Sequence, residues 1–271
     1  MTKTKKLAVL GAGKMGEALI AGMLESGVMS RERLVATARN PSRIENLKEK
    51  YRIATTQNNR KAVKGADLIL IAVKPQAVRE LVEEIRGELS QAQLVVSVAA
   101  SVGTTFIERI LGRPLPVVRA MPNTPCLLRA GMTALCRGVY AQDEHLEEAE
   151  RIFKSVGRTV LLEEKYMDAV TGLSASGPAF IYIIIESLAE AGVKVGLPRS
   201  VATELAAQMT FGAAKMVLET REHPALLKDN VTTPAGCTID GILELEEGKL
   251  RVTLIKAVVK AAQRASELLE G

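Results

Sequence analysis

Leu7-Ala-Val-Leu-Gly-Ala-Gly-Lys-Met-Gly16 decides the reading of this chain. Four apolar residues, too few for a helix, run straight into three glycines spaced G-x-G-x-x-G. Beyond them Met15, Leu19, Ile20, Met23 and Leu24 recur on one face at the helical period. The order is buried strand, tight turn, amphipathic helix ended near Gly27. In that context the glycines have separate tasks. Gly11 allows the turn, Gly13 clears the backbone for a pyrophosphate, and Gly16 lets helix and strand pack closely. The helix N-terminus then offers free N–H groups and the positive end of its dipole to phosphate.

Working outward, the alternation continues. Arg33–Thr37, Asp67–Val73, Leu94–Val98 and Pro116–Ala120 read as further strands, with helices over Ser42–Lys50 and Ala77–Ile85. Strands alternating with helices predict βαβ units and a mainly parallel sheet. Near residue 165 the pattern changes. Asp168 to about Val195 is long and apolar with a Ser-Gly-Pro break at 176–178. Arg199–Thr220, Thr238–Glu246 and Lys249–Leu269 read as helices, and no strand is evident. The expectation is an α/β chain: residues 1–165 form a Rossmann-like NAD(P)-binding domain and 166–271 an all-helical domain.

Composition narrows the function. The 271 residues carry 36 Lys plus Arg, 31 Asp plus Glu, 3% aromatic residues and no tryptophan. Residues 1–165 hold 26 basic and 18 acidic side chains, and 166–271 hold 10 and 13. A basic first half without long basic runs or base-stacking aromatics suits a small phosphorylated ligand better than nucleic acid. Three cysteines (Cys126, Cys136 and Cys237) without a CxxC argue against a disulfide framework or zinc site, and no metal is expected. The apolar run after the basic start Met1–Lys6 is too short for a signal peptide. No stretch reads as about 20 apolar residues spanning a bilayer. These readings predict a cytoplasmic protein.

The end of the second strand carries the cofactor form. NAD sites place Asp or Glu about 20 residues beyond the glycines. Here the segment is Thr37-Ala38-Arg39-Asn40, so Arg39 is set to meet a 2′-phosphate and NADP(H) is favoured over NAD(H). Val73-Lys74-Pro75 and Ala99-Ala100 lie at strand carboxyl ends, where ligands of open α/β sheets bind. Only two histidines occur: His145 in a charged surface stretch and His223 before Pro224. Apart from Lys74 and Tyr166 there is no evident proton-exchanging group, which leans toward reduction of an already protonated C=N bond rather than an alcohol. In Asp229–Thr238, Thr238 is expected as an N-cap and Gly236 as a tight turn, giving a place for a carboxylate.

These motifs together resemble the pyrroline-5-carboxylate reductase family, across essentially the whole chain. The resemblance rests on the glycine stretch, Ala72-Val-Lys-Pro75, Ser97-Val-Ala-Ala100, Met121-Pro-Asn-Thr-Pro125, Asp168–Phe180, His223-Pro224, Leu227-Lys-Asp-Asn-Val231 and Thr233–Ile239. It implies NAD(P)H-dependent reduction of L-1-pyrroline-5-carboxylate to L-proline. By family pattern Leu10, Gly11, Ala12, Gly13, Lys14 and Met15 would cradle the pyrophosphate. Ala38, Arg39 and Asn40 would flank the adenosine ribose, with Asn59 on the same side. Ala72, Val73, Lys74, Pro75, Val98, Ala99 and Ala100 would hold the nicotinamide half, and Asn230 would reach the cofactor. Gly236, Cys237 and Thr238 would take the substrate carboxylate, with the Thr238 hydroxyl near the ring nitrogen as the catalytic group, and Glu164 would be a further substrate contact. The family also implies a homodimer, with five dimers forming a decamer in some members. Where many relatives have glycine, this chain has Ala235, and Cys237 stands in the substrate loop. The rival expectations are a reductase of another cyclic imine, a hydroxy-acid dehydrogenase, and a non-catalytic NADP-binding sensor.

Overall fold

The computed structural model describes residues 5–267, so Met1–Thr4 of the basic start and the predicted helix end at Leu269 lie outside the described residues. The chain divides into two compact units. One takes in residues up to Ala175 and again from Ala261; the other is Ser176–Lys260.

The first unit is built on eight strands: β1 (Leu7–Leu10), β2 (Leu34–Thr37), β3 (Ala54–Thr56), β4 (Leu68–Ile71), β5 (Leu94–Ser97), β6 (Val117–Pro122), β7 (Gly131–Arg137) and β8 (Gly157–Leu161). They lie in the order β3-β2-β1-β4-β5-β6-β7-β8. All neighbours are parallel except β6 and β7. This is the mainly parallel Rossmann-like sheet that the alternation predicts. Its helices are α1 (Lys14–Glu25), α2 (Pro41–Tyr51), α3 (Asn59–Val63), α4 (Val78–Ile85), α5 (Thr104–Leu111), α6 (Asp143–Lys154) and α7 (Met167–Val170).

The period of two along each strand divides the core. Leu7, Val9, Leu68, Leu70 and Val96 face one layer, with Leu19 and Met23 of α1 and Phe153 of α6. Ala8, Leu10, Ile69, Ile71 and Val95 face the other, with Val82 and Ile85 of α4 and Ile107 of α5. Central strands buried on both faces explain the unbroken apolar runs in the sequence.

The second unit consists of α8 (Gly177–Lys194), α9 (Arg199–Thr220), α10 (Pro224–Asn230), α11 (Cys237–Glu247) and the greater part of α12 (Leu250–Glu267). Helices α8 and α9 form a hairpin in which an added Cβ on Gly192 would lie 2.8 Å from that of Ala202. Ala189, Ala202 and Ala206 are buried there, so small side chains set the approach. Arg199 pairs with Glu190 across the turn. His223 lies in the short connection before α10 and caps that helix, its Nδ1 accepting the N–H of Ala225.

The predicted Ser-Gly-Pro interruption falls at Ser176, a bend before α8 that also marks the division between the two units. Thr171–Ala175 forms a π turn and Pro178 sits in the first turn of α8, where its missing N–H costs nothing. Within Glu164–Lys194 an 18-residue window has a mean hydropathy of 1.4, long and apolar enough, by length and composition alone, to cross a bilayer.

Candidate functional site

The glycine loop at the carboxyl end of β1 is fixed by its neighbours. Gly11 has φ +82, and an added Cβ there would collide with the Val73 side chain, so only glycine fits. Its N–H donates to the Thr37 hydroxyl at 3.1 Å, and the Ala12 N–H donates to the Thr37 carbonyl at 2.7 Å. Gly13 is the N-cap of α1 with no side-chain cap, and an added Cβ there would meet only the Gly11 carbonyl, at 3.9 Å. A Cβ on Gly16 would touch the Gly11 carbonyl, Ala72 and Val9 at 3.3–3.4 Å. The turn and the close helix–strand packing fall on Gly11 and Gly16, as the spacing assigns them.

The cleft over this loop has a volume of about 620 Å³, and Gly13, Ala38, Arg39, Asn40, Val73 and Lys74 are among its lining residues. It continues into a recess of about 120 Å³ bounded by Thr37, Arg39, Asn59, Glu80 and Glu84. Free helix N–H groups, a glycine cradle and the cations Arg39, Arg43 and Lys74 fit the pyrophosphate of a dinucleotide.

Arg43 and Asn59 make contacts here that join residues far apart in the sequence. Arg43, in the charged α2, donates its Nε to the Ala12 carbonyl at 3.0 Å and an Nη to the Gly13 carbonyl at 3.3 Å. It also pairs with Glu17, which accepts from Lys50 and Tyr51 as well, each at 2.8 Å. Burial opposes the Glu17 charge, but these three donors outweigh it and lower its pKa from 4.5 to about 2. Asn59 does not project freely into the recess. Its Oδ1 accepts the Thr37 hydroxyl at 2.8 Å and its Nδ2 donates to Glu84 at 2.9 Å. Asn40 likewise caps α2 through the Ser42 N–H at 2.9 Å.

At the end of β5, Ala99 is buried, and Val98 and Ala100 are half-buried. Ser101 follows at φ +60, fully enclosed, with no partner for its hydroxyl. Glu164 accepts from the Thr104 N–H at 2.7 Å and the Thr104 hydroxyl at 2.5 Å, which caps α5 from a distant part of the chain. Arg119, 3% exposed on β6, lies 3.5 Å from both Glu164 and Asp168. Burial pushes the neighbouring Cys136 thiol up to about 12, and the Glu164 charge adds to it, so it stays protonated.

In the helical unit Asn230 closes α10 and is exposed. The Thr238 expectation is corrected: the N-cap of α11 is Gly236, Cys237 takes the first helical position and Thr238 the second. An added Cβ on Gly236 would lie 2.5 Å from the Thr233 hydroxyl, so the turn before the helix is too tight for a side chain at the cap. Ala235 adopts φ +57, the left-handed conformation that glycine takes without strain. No side chain caps α11, which leaves its first N–H groups free, with Cys237 exposed and Thr238 half-buried. Among the described residues no group of three or more His, Cys, Asp or Glu could hold a metal ion.

Residues 164–268 match the family model of pyrroline-5-carboxylate reductase dimerisation. Residues 6–101 match that of NADP oxidoreductase, coenzyme F420-dependent. The pyrroline-5-carboxylate reductase of Arabidopsis thaliana is 40% identical over 98% of this chain and 96% of its own. The chain belongs to the pyrroline-5-carboxylate reductase family. The Escherichia coli reductase is 36% identical over 97% of this chain and 98% of its own. Among solved structures, the Coxiella burnetii reductase superposes with a TM-score of 0.92 at 37% identity, covering 98% and 99% of the two chains. The Plasmodium falciparum reductase, solved with NADP bound, gives 0.89 at 30% identity, covering 99% and 100%.

Proposed function

We propose that the chain catalyses the NAD(P)H-dependent reduction of L-1-pyrroline-5-carboxylate to L-proline. The observation that carries this reading is the glycine cradle at the carboxyl end of a parallel sheet, in a chain similar to these reductases along almost its whole length. A reduced nicotinamide held there would supply the hydride for the carbon of the C=N bond. The protein supplies position and field. Leu10 to Gly16 hold the pyrophosphate, Ala38 to Asn40 and Asn59 the adenosine end, and Ala72 to Pro75 with Val98 to Ala100 the nicotinamide half, with Asn230 a further cofactor contact.

On the substrate side, Gly236, Cys237 and Thr238 receive the carboxylate through the open N-terminus of α11. The half-buried Thr238 hydroxyl lies by the ring nitrogen and is the catalytic group, and Glu164 is a further contact. A protonated imine needs no base to accept hydride, which suits a chain with two histidines, both engaged in helix starts. NADP(H) is the preferred cofactor through Arg39, with NAD(H) also accepted. Residues 1–165 serve as the cofactor domain and 166–271 as the substrate and dimerisation domain. The apolar helical faces are covered by a second copy in a homodimer, which assembles further to a decamer, rather than by lipid or nucleic acid. The three unpaired cysteines suit the reducing cytoplasm.

The test is the loss of reduced-nicotinamide absorbance with pyrroline-5-carboxylate, run with NADPH beside NADH and followed by detection of proline. Turnover with proline formed is expected. Tight NADPH binding without turnover would turn the reading into the sensor, and turnover only with another imine would change the substrate. Thr238→Ala should lower kcat/KM by about 10²-fold, within the range of a lost transition-state donor, with NADPH affinity kept. Equal loss of both would remove Thr238 from the substrate site.

A further inference from the structure

The recess beside the glycine loop is acidic. Among the described residues that line it, Arg39 is the cation and Glu80 and Glu84 are the anions. The two acids lie one turn apart on α4. Arg39 already pairs with Glu80, Nη2 to Oε2 at 3.4 Å, and both side chains are exposed. Glu84 is held by Asn59 at 2.9 Å and cannot swing away without breaking that bond. A ribose 2′-phosphate brings close to two negative charges. To hold it, Arg39 must give up Glu80, and the freed carboxylate then faces the phosphate. A ribose 2′-hydroxyl meets the opposite situation, because it can donate to the Glu80 carboxylate. Acids that select the unphosphorylated cofactor ordinarily stand at the end of the second strand. Here that place holds Ala38 and Arg39, and the acid arrives from α4.

We propose that Glu80 is a specificity-determining residue for the cofactor. It offers a carboxylate to the 2′-hydroxyl of the unphosphorylated dinucleotide and competes with the 2′-phosphate for Arg39, so one recess serves both forms and discrimination between them is mild. The inference rests on the reading of this recess as the adenosine end of a dinucleotide site.

The test is Glu80→Gln, Arg39→Gln and the double variant. The affinities of NADPH and NADH are measured by titration calorimetry without substrate, and kcat/KM for each is measured alongside. In Glu80→Gln, NADPH binding should tighten and NADH binding weaken, moving the affinity ratio by roughly tenfold toward NADPH. Arg39→Gln should move it the other way. The effect of Glu80→Gln on NADPH should shrink in the Arg39→Gln background, and should fall with added salt because the charges are exposed. Glu80→Asp should retain more of the NADH affinity than Glu80→Gln. An affinity ratio that Glu80→Gln leaves within twofold would overturn the proposal, as would equal weakening of both cofactors. The calorimetry needs no turnover. A failed reaction with pyrroline-5-carboxylate would therefore count against the substrate reading alone, while the affinity ratio still decides the role of Glu80.

Discussion

Glu17 receives the bracing of the glycine loop, because Arg43, which holds two loop carbonyls, is itself held by that carboxylate. Its pKa falls from 4.5 to about 2 on folding. A carboxylate lowered on folding adds stability that is fully present above its unfolded value and is lost as pH falls through its folded one. The Glu17 contribution should therefore fade between about pH 4.5 and 2. Glu17→Gln should lower stability at neutral pH by roughly 1–3 kcal/mol. It should also flatten the acid limb of the stability curve, read by urea unfolding at a series of pH values. A variant with an unchanged acid limb would show that the brace carries no load. None of this bracing was legible in the sequence. Glu17 and Arg43 are 26 residues apart and look like ordinary solvated charges until β2 and α2 bring them together.

Among the parallel strands on the β1 side of the sheet, legibility followed burial, whereas β7, the antiparallel partner of β6, is mostly buried and was not assigned. The central strands β1, β2, β4, β5 and β6 were readable because burial on both faces leaves an apolar run. The edge strand β3 has three residues, none of them buried, and β8 mixes Arg158 and Thr159 with Val160 and Leu161. Pairing with neighbours specifies such strands, and pairing has no local signal. Helices α5 and α6 were also unassigned, and α5 depends on a cap, Glu164, from 60 residues away. At the candidate site the turn at Gly11 and the packing at Gly16 could be read from the spacing, whereas the start of α11 could not. Thr238 has the chemistry of an N-cap, yet the turn at Thr233–Gly236 moves the cap two residues earlier. Ala235 in that turn predicts a further outcome. Ala235→Gly should raise thermal stability by up to about 1 kcal/mol as left-handed strain is relieved, offset in part by the greater freedom of the unfolded chain. A stability loss above about 1 kcal/mol in calorimetry would mean that the methyl group packs usefully.

For the whole molecule the decisive quantity is apolar surface. Val201, Leu205, Met209 and Met216 follow each other at helical spacing along α9 and are 42–55% exposed. Tyr182 and Ile183 on α8 are about 60% exposed. A contiguous face of this kind marks an interaction surface. If a second copy covers it, Met209→Glu should shift the assembly toward monomer and lower the melting temperature in a concentration-dependent way. Light scattering across a dilution series checks this, and an unchanged molar mass would place the interface elsewhere. The dimerisation match over residues 164–268 includes these helices.

The chain of donors from Gly11 through Thr37 and Asn59 to Glu84 runs in one direction only. Thr37 and Asn59 each accept from one side and donate to the other, so the amide nitrogen of Asn59 faces Glu84. The cradle therefore depends on that side chain remaining an amide. Hydrolysis of that side-chain amide would change neither size nor shape, yet it would set two carboxylates face to face where 2.9 Å now separates donor from acceptor. The damage would reach the loop through Thr37 without any residue of the loop itself having changed.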